Sequence, residues 1–184
     1  TDVYAVGGGE GVLLQNDLGV FTDVTEEAGA RAPGADAAVF GDYDNDGYLD
    51  LLVTRGDGGV LLQNRGDGTF LDVSEVAGIR GQNATSYAPL FMDADHDGDL
   101  DLFLPASGPN RLYRNNGDGT FLESAERMGL AGPAGGSRDA AFGDFDLDAS
   151  LDLMVAEGED GIAHYRNLLE GNFQDVTERL RSLR

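Results

Sequence analysis

The chain has 184 residues, 41% hydrophobic, with a formal net charge of −22 and no cysteine. That length allows one domain with a sizeable core. The charge excludes nucleic acid and anionic membranes as partners by repulsion. The missing cysteines exclude a disulfide framework and a thiolate metal site, and no apolar run reaches the ~18 residues of a membrane-spanning helix.

The chain opens at Thr1 without a charged and apolar leader, the start expected of a mature product or a fragment. Residues 1–16, TDVYAVGGGEGVLLQN, match residues 49–64, LDLLVTRGDGGVLLQN, at an offset of 48. TEEAG (25–29) reads as a helical turn, with Thr25 able to cap it and Gly29 able to end it.

From residue 37 the pattern becomes regular. AAVFGD (37–42) is a strand ending in an acidic loop, followed by the strand DLLVT (50–54), the strand GVLLQN (59–64), the turn RGDGT (65–69) and the strand FLDV (70–73). SEVAG (74–78) repeats the helical turn. The next copy reads YAPLFMD (87–93), DLFLP (101–105), LYRN (112–115), NGDGT (116–120) and FLES (121–124). The last reads DAAFGD (139–144), DLMVA (152–156), HYRN (164–167) and FQDV (173–176). The second strand of each copy is apolar on both faces, as a strand buried between two layers is.

Asp42, Asp93 and Asp144 stand 51 residues apart. A fixed period near 50 residues with four short strands per period indicates propeller blades. The expected fold is all-β, one repeat domain over 1–184, with three full four-stranded antiparallel units and one partial unit: a partial blade at 1–29 and blades at about 36–78, 87–129 and 138–178. A flat β-solenoid usually has shorter repeats, and a TIM barrel or Rossmann fold needs long helical patterns that this chain lacks.

The acidic loops carry the chemistry. Each fits D-x-D-x-D-G-x-x-D, here numbered as positions 1 to 9. Side chains at positions 1, 3 and 5 can share one small space, a glycine at position 6 permits a sharp turn, and a carbonyl at position 7 and an aspartate at position 9 complete an oxygen shell. Five or more hard oxygens suit Ca2+, whereas Mg2+ demands a strict octahedron and Zn2+ prefers His or Cys. The expected ligands are Asp42, Asp44, Asp46, Tyr48 (by its carbonyl) and Asp50, then Asp93, Asp95, Asp97, Asp99 (by its carbonyl) and Asp101. A third set is Asp144, Asp146, Asp148, Ser150 and Asp152, where Ala149 replaces the glycine, so this site is expected to be weaker. Without a cation such clusters repel; with one, binding free energy becomes folding free energy.

FGDYDNDGYLDLLV (40–53), FMDADHDGDLDLFL (91–104) and FGDFDLDASLDLMV (142–155), with the turns NRGDGTF (64–70) and NNGDGTF (115–121), resemble the FG-GAP or VCBS-type repeat of integrin α-subunit propellers and many secreted bacterial proteins. The resemblance covers nearly the whole chain. It implies a calcium-binding β-propeller, usually extracellular or periplasmic and used in adhesion or ligand binding, and the family usually closes its ring with more units than this chain holds.

Other features read blandly. Arg55-Gly56-Asp57 and Arg65-Gly66-Asp67 spell the adhesive tripeptide RGD, but Gly-Asp-Gly is the turn chemistry of the repeat. His96 falls at position 4 of a loop, facing solvent, and His164 lies in a strand with a packing role. No Ser-His-Asp pattern points to a nucleophile. Asn83-Ala84-Thr85 is a glycosylation sequon.

The functional expectation is a calcium-stabilised binding or scaffold module, not an enzyme. Its partner is a protein or carbohydrate ligand, met at the connections 30–36, 79–87 and 130–138. The alternatives are a purely structural subunit or fragment of a larger propeller assembly, and a polysaccharide-degrading enzyme. The first unit lacks a first strand, so the chain is expected to pack with another chain or further blades.

Overall fold

The computed structural model describes residues 1–56, 58–79, 86, 88–132, 136–158, 161–169 and 171–178. Among them, four antiparallel sheets follow one another along the chain. The first has three strands, β1 (Val3–Gly7), β2 (Glu10–Asp17) and β3 (Val20–Asp23). The second has β4 (Ala35–Gly41), β5 (Asp50–Arg55), β6 (Gly58–Asn64) and β7 (Phe70–Asp72). The third has β8 (Leu90–Met92), β9 (Asp101–Leu104), β10 (Arg111–Asn115) and β11 (Phe121–Glu123). The fourth has β12 (Ser137–Gly143), β13 (Asp152–Glu157), β14 (Gly161–Asn167) and β15 (Phe173–Asp175). Strands lie in chain order within each sheet.

Register places the loops. Gly41 pairs with Asp50, Met92 with Asp101 and Gly143 with Asp152. Each hairpin therefore ends at the same point, and each acidic loop bridges the same two strand ends.

The core forms between successive sheets. Alternate residues of a strand face opposite sides. Leu51 and Val53 of β5 pack with Leu13 and Ala30 of the first unit, while Leu52 packs with Phe91 and Leu102 of the third. In β9, Leu102 and Leu104 face back and Phe103 faces forward onto Leu153 and Tyr165. That arrangement explains why the second strand of each unit is apolar throughout.

A second link joins the units. The turn after each fourth strand closes one helical turn, with Ala28 N–H donating to Val24 O at 2.8 Å and Ala77 N–H to Val73 O at 2.8 Å. The carbonyls of Ala28, Ala77 and Met128 then accept from the N–H of Phe70, Phe121 and Phe173 in the following unit, at 2.7, 2.9 and 2.9 Å. Gly129 ends its turn at φ 78°, and a Cβ there would stand 2.6 Å from the Phe173 carbonyl oxygen. Glycine is required by conformation and by space.

Two local expectations are corrected. Thr25 and Ser74 do not cap the helical turns. Their hydroxyls accept from Leu13 and Leu61 N–H at 2.9 Å and donate to Asp23 and Asp72 at 2.6 Å, because those aspartates already take the Thr25 and Ser74 N–H. The strand expected at 87–93 shrinks to Leu90–Met92, since Pro89 has no N–H for the ladder. Asp57, the sequon 83–85 and parts of the connections 79–87 and 130–138 lie outside the described residues.

Candidate metal centre

Each loop is organised by its position-1 aspartate. Asp42 accepts from Asp46 N–H and Gly47 N–H, both at 3.0 Å, and Asp144 accepts from Asp148 N–H and Ala149 N–H, both at 3.1 Å. Asp93 accepts from Gly98 N–H at 3.2 Å. The backbone must double back to allow this. Position 6 is left-handed in all three loops, with φ 89° at Gly47, 93° at Gly98 and 70° at Ala149. The third loop thus holds alanine in the strained region the sequence pattern implied. Position 4 is left-handed as well, at Asn45, His96 and Leu147 with φ 59°, 62° and 64°. Nothing in His96 or Leu147 announces that angle. His96 is exposed, as expected.

The carboxylates converge. Asp42, Asp44 and Asp50 each offer an oxygen, all within 4.8 Å of one another, as do Asp93, Asp95 and Asp97, and Asp144, Asp146 and Asp148. The position-5 residues differ in their fit, since Asp46 stands outside the first of these groups. Their Oδ1 atoms accept from the N–H at position 7: Asp46 from Tyr48 at 2.8 Å, Asp97 from Asp99 and Asp148 from Ser150 at 3.0 Å.

Position 9 has a double role. Asp50, Asp101 and Asp152 are fully buried. Asp101 accepts from Ala94 N–H at 3.0 Å and Asn115 N–H at 2.8 Å, so it ties the loop to β10. Asp50 and Asp152 make the equivalent pairs, Asp50 with Tyr43 and Asn64, Asp152 with Phe145 and Asn167. Burial above all pushes the Asp101 carboxyl up to about 7 and the Asp50 carboxyl up to about 6; the backbone N–H bonds oppose the rise and the neighbouring loop carboxylates add to it.

The residues present fit a hard cation. The Asp95 side chain is only 5% exposed, and its Oδ1 has no hydrogen-bond partner, nor has Asp93 Oδ1. A buried carboxylate oxygen left unpaired costs about 1–3 kcal/mol, and an oxygen-only donor set of this kind suits Ca2+. Asp42, Asp44 and Asp50 in the first loop, and the position-1, position-3 and position-5 carboxylates in the other two, would hold such an ion, which would supply the positive charge that the clustered acids lack.

A partner from the third strand reaches every loop, and sequence reading missed it. Gln63 Nε2 donates to Asp44 Oδ2 at 2.6 Å. Arg114 Nε faces Asp95 Oδ2, with Nη2 3.4 Å from Asp97 Oδ2. Arg166 Nε lies 2.5 Å from Asp146 Oδ2 and its Nη2 3.0 Å from Asp148 Oδ2. The signal was the residue before the asparagine in LLQN, LYRN and HYRN, which faces the loop side of its strand.

The remaining candidates behave as structural residues. Asp67 Oδ1 accepts from Thr69 N–H and hydroxyl, as Asp118 Oδ1 does from Thr120, so Arg65-Gly66-Asp67 is built as a turn. His164 packs edge-on against Phe145, with ring centroids 5.7 Å apart.

These loops and units recur in known proteins. The sequence model described as "FG-GAP-like repeat" matches residues 1–53, 43–104 and 93–155. The chain belongs to the FG-GAP-like repeat family. Within that family it is 32% identical to human cartilage acidic protein 1 over 95 residues, covering 50% of this chain and 14% of that protein. It is 26% identical to the Xenopus tropicalis protein of the same name over 148 residues, covering 77% of this chain and 22% of that one. The matched stretch is thus less than a quarter of either relative. Among solved structures, a lectin from Agrocybe aegerita, described as recognising non-reducing terminal N-acetylglucosamine, superposes with a TM-score of 0.51 at 20% identity over 95% of this chain and 51% of the lectin. That likeness is one of fold. Among the described residues no helix is long and apolar enough to cross a membrane.

Proposed function

We propose that this chain is a calcium-stabilised binding or scaffold module of β-propeller type, working outside the cytoplasm on a protein or glycan ligand in an adhesion-like role. The observation that carries the reading is the threefold recurrence of three converging carboxylate oxygens at equivalent hairpin ends. Each loop joins the first strand of its unit to the buried second strand, so a cation bound there fastens the hairpin. The likeness in fold to a lectin that recognises N-acetylglucosamine supports a glycan as one ligand class. The regular assignment of acids to loops supports binding over catalysis, because they are used up by the repeat. Calcium titration calorimetry, followed by glycan-array and pull-down experiments with and without chelator, tests it. Three calcium equivalents and a chelator-sensitive ligand support the reading; no calcium heat sinks it.

A second reading, a part of a larger propeller assembly, rests on the first sheet. Val3 is 42% exposed and Phe21 51%, while Leu51, the counterpart of Val3, is fully covered by the preceding unit. Under this reading a further blade or another chain covers that face.

A further inference from the structure

Three loops with one acidic pattern are not three equal sites, and the difference lies outside the pattern. In each of the three units that carry an acidic loop, the residue before the third-strand asparagine engages Oδ2 of the position-3 carboxylate: Gln63 on Asp44, Arg114 on Asp95, Arg166 on Asp146. In the second loop this contact leaves the other oxygen, Asp95 Oδ1, buried and without a hydrogen bond, beside the equally unpartnered Asp93 Oδ1. A carboxylate paired through one oxygen, by a hydrogen bond from Gln63 or an ion pair from Arg114 or Arg166, is restrained in its rotation, and its second oxygen is left for another partner.

We propose that Gln63, Arg114 and Arg166 are positioning residues for the cation: each locks the position-3 carboxylate by Oδ2 and so presents Oδ1 to the ion. The proposal rests on the calcium reading above. Partners that fix a ligating carboxylate typically change metal affinity by 10–100-fold when removed. The three residues also differ in charge. Gln63 leaves the loop 42–50 its full negative charge, whereas the guanidinium of Arg114 or Arg166 offsets part of it by spanning positions 3 and 5. The same contact therefore orients the ligand in every loop and grades the sites, with the glutamine loop binding most tightly.

The test uses the full chain, calcium alone as the probe, and NMR. The amides of Gly47 and Gly98, each hydrogen-bonded to a position-1 carboxylate, report the first two loops separately. Arg114→Ala is expected to weaken calcium binding at Gly98 by tenfold or more while Gly47 titrates as before, which also shows that the variant is folded. Arg114→Gln is expected to restore the affinity and exceed that of the parent, because orientation is kept and the opposing charge is gone. Gln63→Ala is expected to weaken the Gly47 response alone. An Arg114→Ala chain that binds as tightly as the parent, or more tightly, makes the arginine a bystander or a competitor and overturns the proposal. Failure of Arg114→Gln to rescue also overturns it. A parent chain with no calcium response at either glycine overturns the calcium reading and this proposal together, an outcome distinct from the others.

Discussion

Asn115 Nδ2 donates to the carbonyl oxygen of Tyr43 at 2.7 Å, 72 residues back along the chain. Tyr43 stands at position 2 of the preceding acidic loop. Asn115 Nδ2 also donates to Leu100 O at 3.1 Å, and its Oδ1 accepts from Gly117 N–H at 3.0 Å. Asn167 repeats the arrangement on Ala94 O at 2.9 Å. The first two acidic loops are therefore each held by the unit that follows.

Asn115→Ala leaves buried carbonyls unpaired and is expected to cost about 2 kcal/mol or more. Asn64 donates to Leu49 O and accepts from Gly66 N–H, both at 3.0 Å, in more exposed surroundings, so Asn64→Ala is expected to cost about 1 kcal/mol. Urea denaturation in saturating calcium compares the two; equal losses would deny the cross-unit bond its role.

The third loop carries strain that glycine relieves. Ala149→Gly is expected to stabilise the chain by about 1 kcal/mol and to tighten that loop, because φ is 70° at Ala149. Gly47→Ala is expected to cost a similar amount through the backbone alone, since a Cβ at Gly47 would meet nothing within 4 Å. Leu147, 87% exposed at φ 64°, is expected to gain from Leu147→Asn. Calorimetric titration and thermal melts of the three variants check this.

Gly129→Ala probes the packing of unit on unit. The Cβ would meet the Phe173 carbonyl oxygen at 2.6 Å, against 3.2 Å from the Phe70 carbonyl oxygen for Gly29→Ala. The first substitution is expected to lower the melting temperature clearly more than the second. The reverse order would mean that the fourth unit is less tightly seated than the geometry shows.

Much of this was legible in the chain. The 51-residue spacing of Asp42, Asp93 and Asp144 and the all-apolar runs at Leu51, Leu102 and Leu153 located the strands and loops, because both signals are local and periodic. What stayed hidden was non-local. That Asn115 reaches Tyr43, or that Arg114 enters its own loop, depends on how strands and sheets are set against one another. The hydroxyls of Thr25 and Ser74 could not be told from ordinary caps, since the competing acceptors Asp23 and Asp72 sit two residues earlier and are ordinary strand residues in sequence. The left-handed angle at Leu147 follows from equivalence with Asn45, not from any preference of leucine.

Acidity has an unusual sign in the calcium-free chain. Burial raises the carboxyls of Asp101 and Asp50 to about 7 and about 6, above their unfolded value near 4. Their stabilising contribution is complete below about pH 4 and is lost as pH rises through 6 to 7. Asp148, held down to about 2 chiefly by the Ser150 hydroxyl, works oppositely, its contribution being lost only as pH falls toward 2. Calcium-stripped protein is therefore expected to melt higher at pH 5 than at pH 8, with Asp101→Asn shrinking the difference. A melting temperature that rises from pH 5 to pH 8 would refute the assignment.

Cations in the three loops, as proposed above, fasten the hairpin of each loop-bearing unit. One site at 100 times Kd adds about 2.7 kcal/mol, which for a chain of this length corresponds to about 5–10 °C. Thermal melts of the full chain at pH 7.5, in excess EGTA and in millimolar calcium, measure it directly. A rise of that size or larger is expected in calcium. Superimposable melting curves would contradict it.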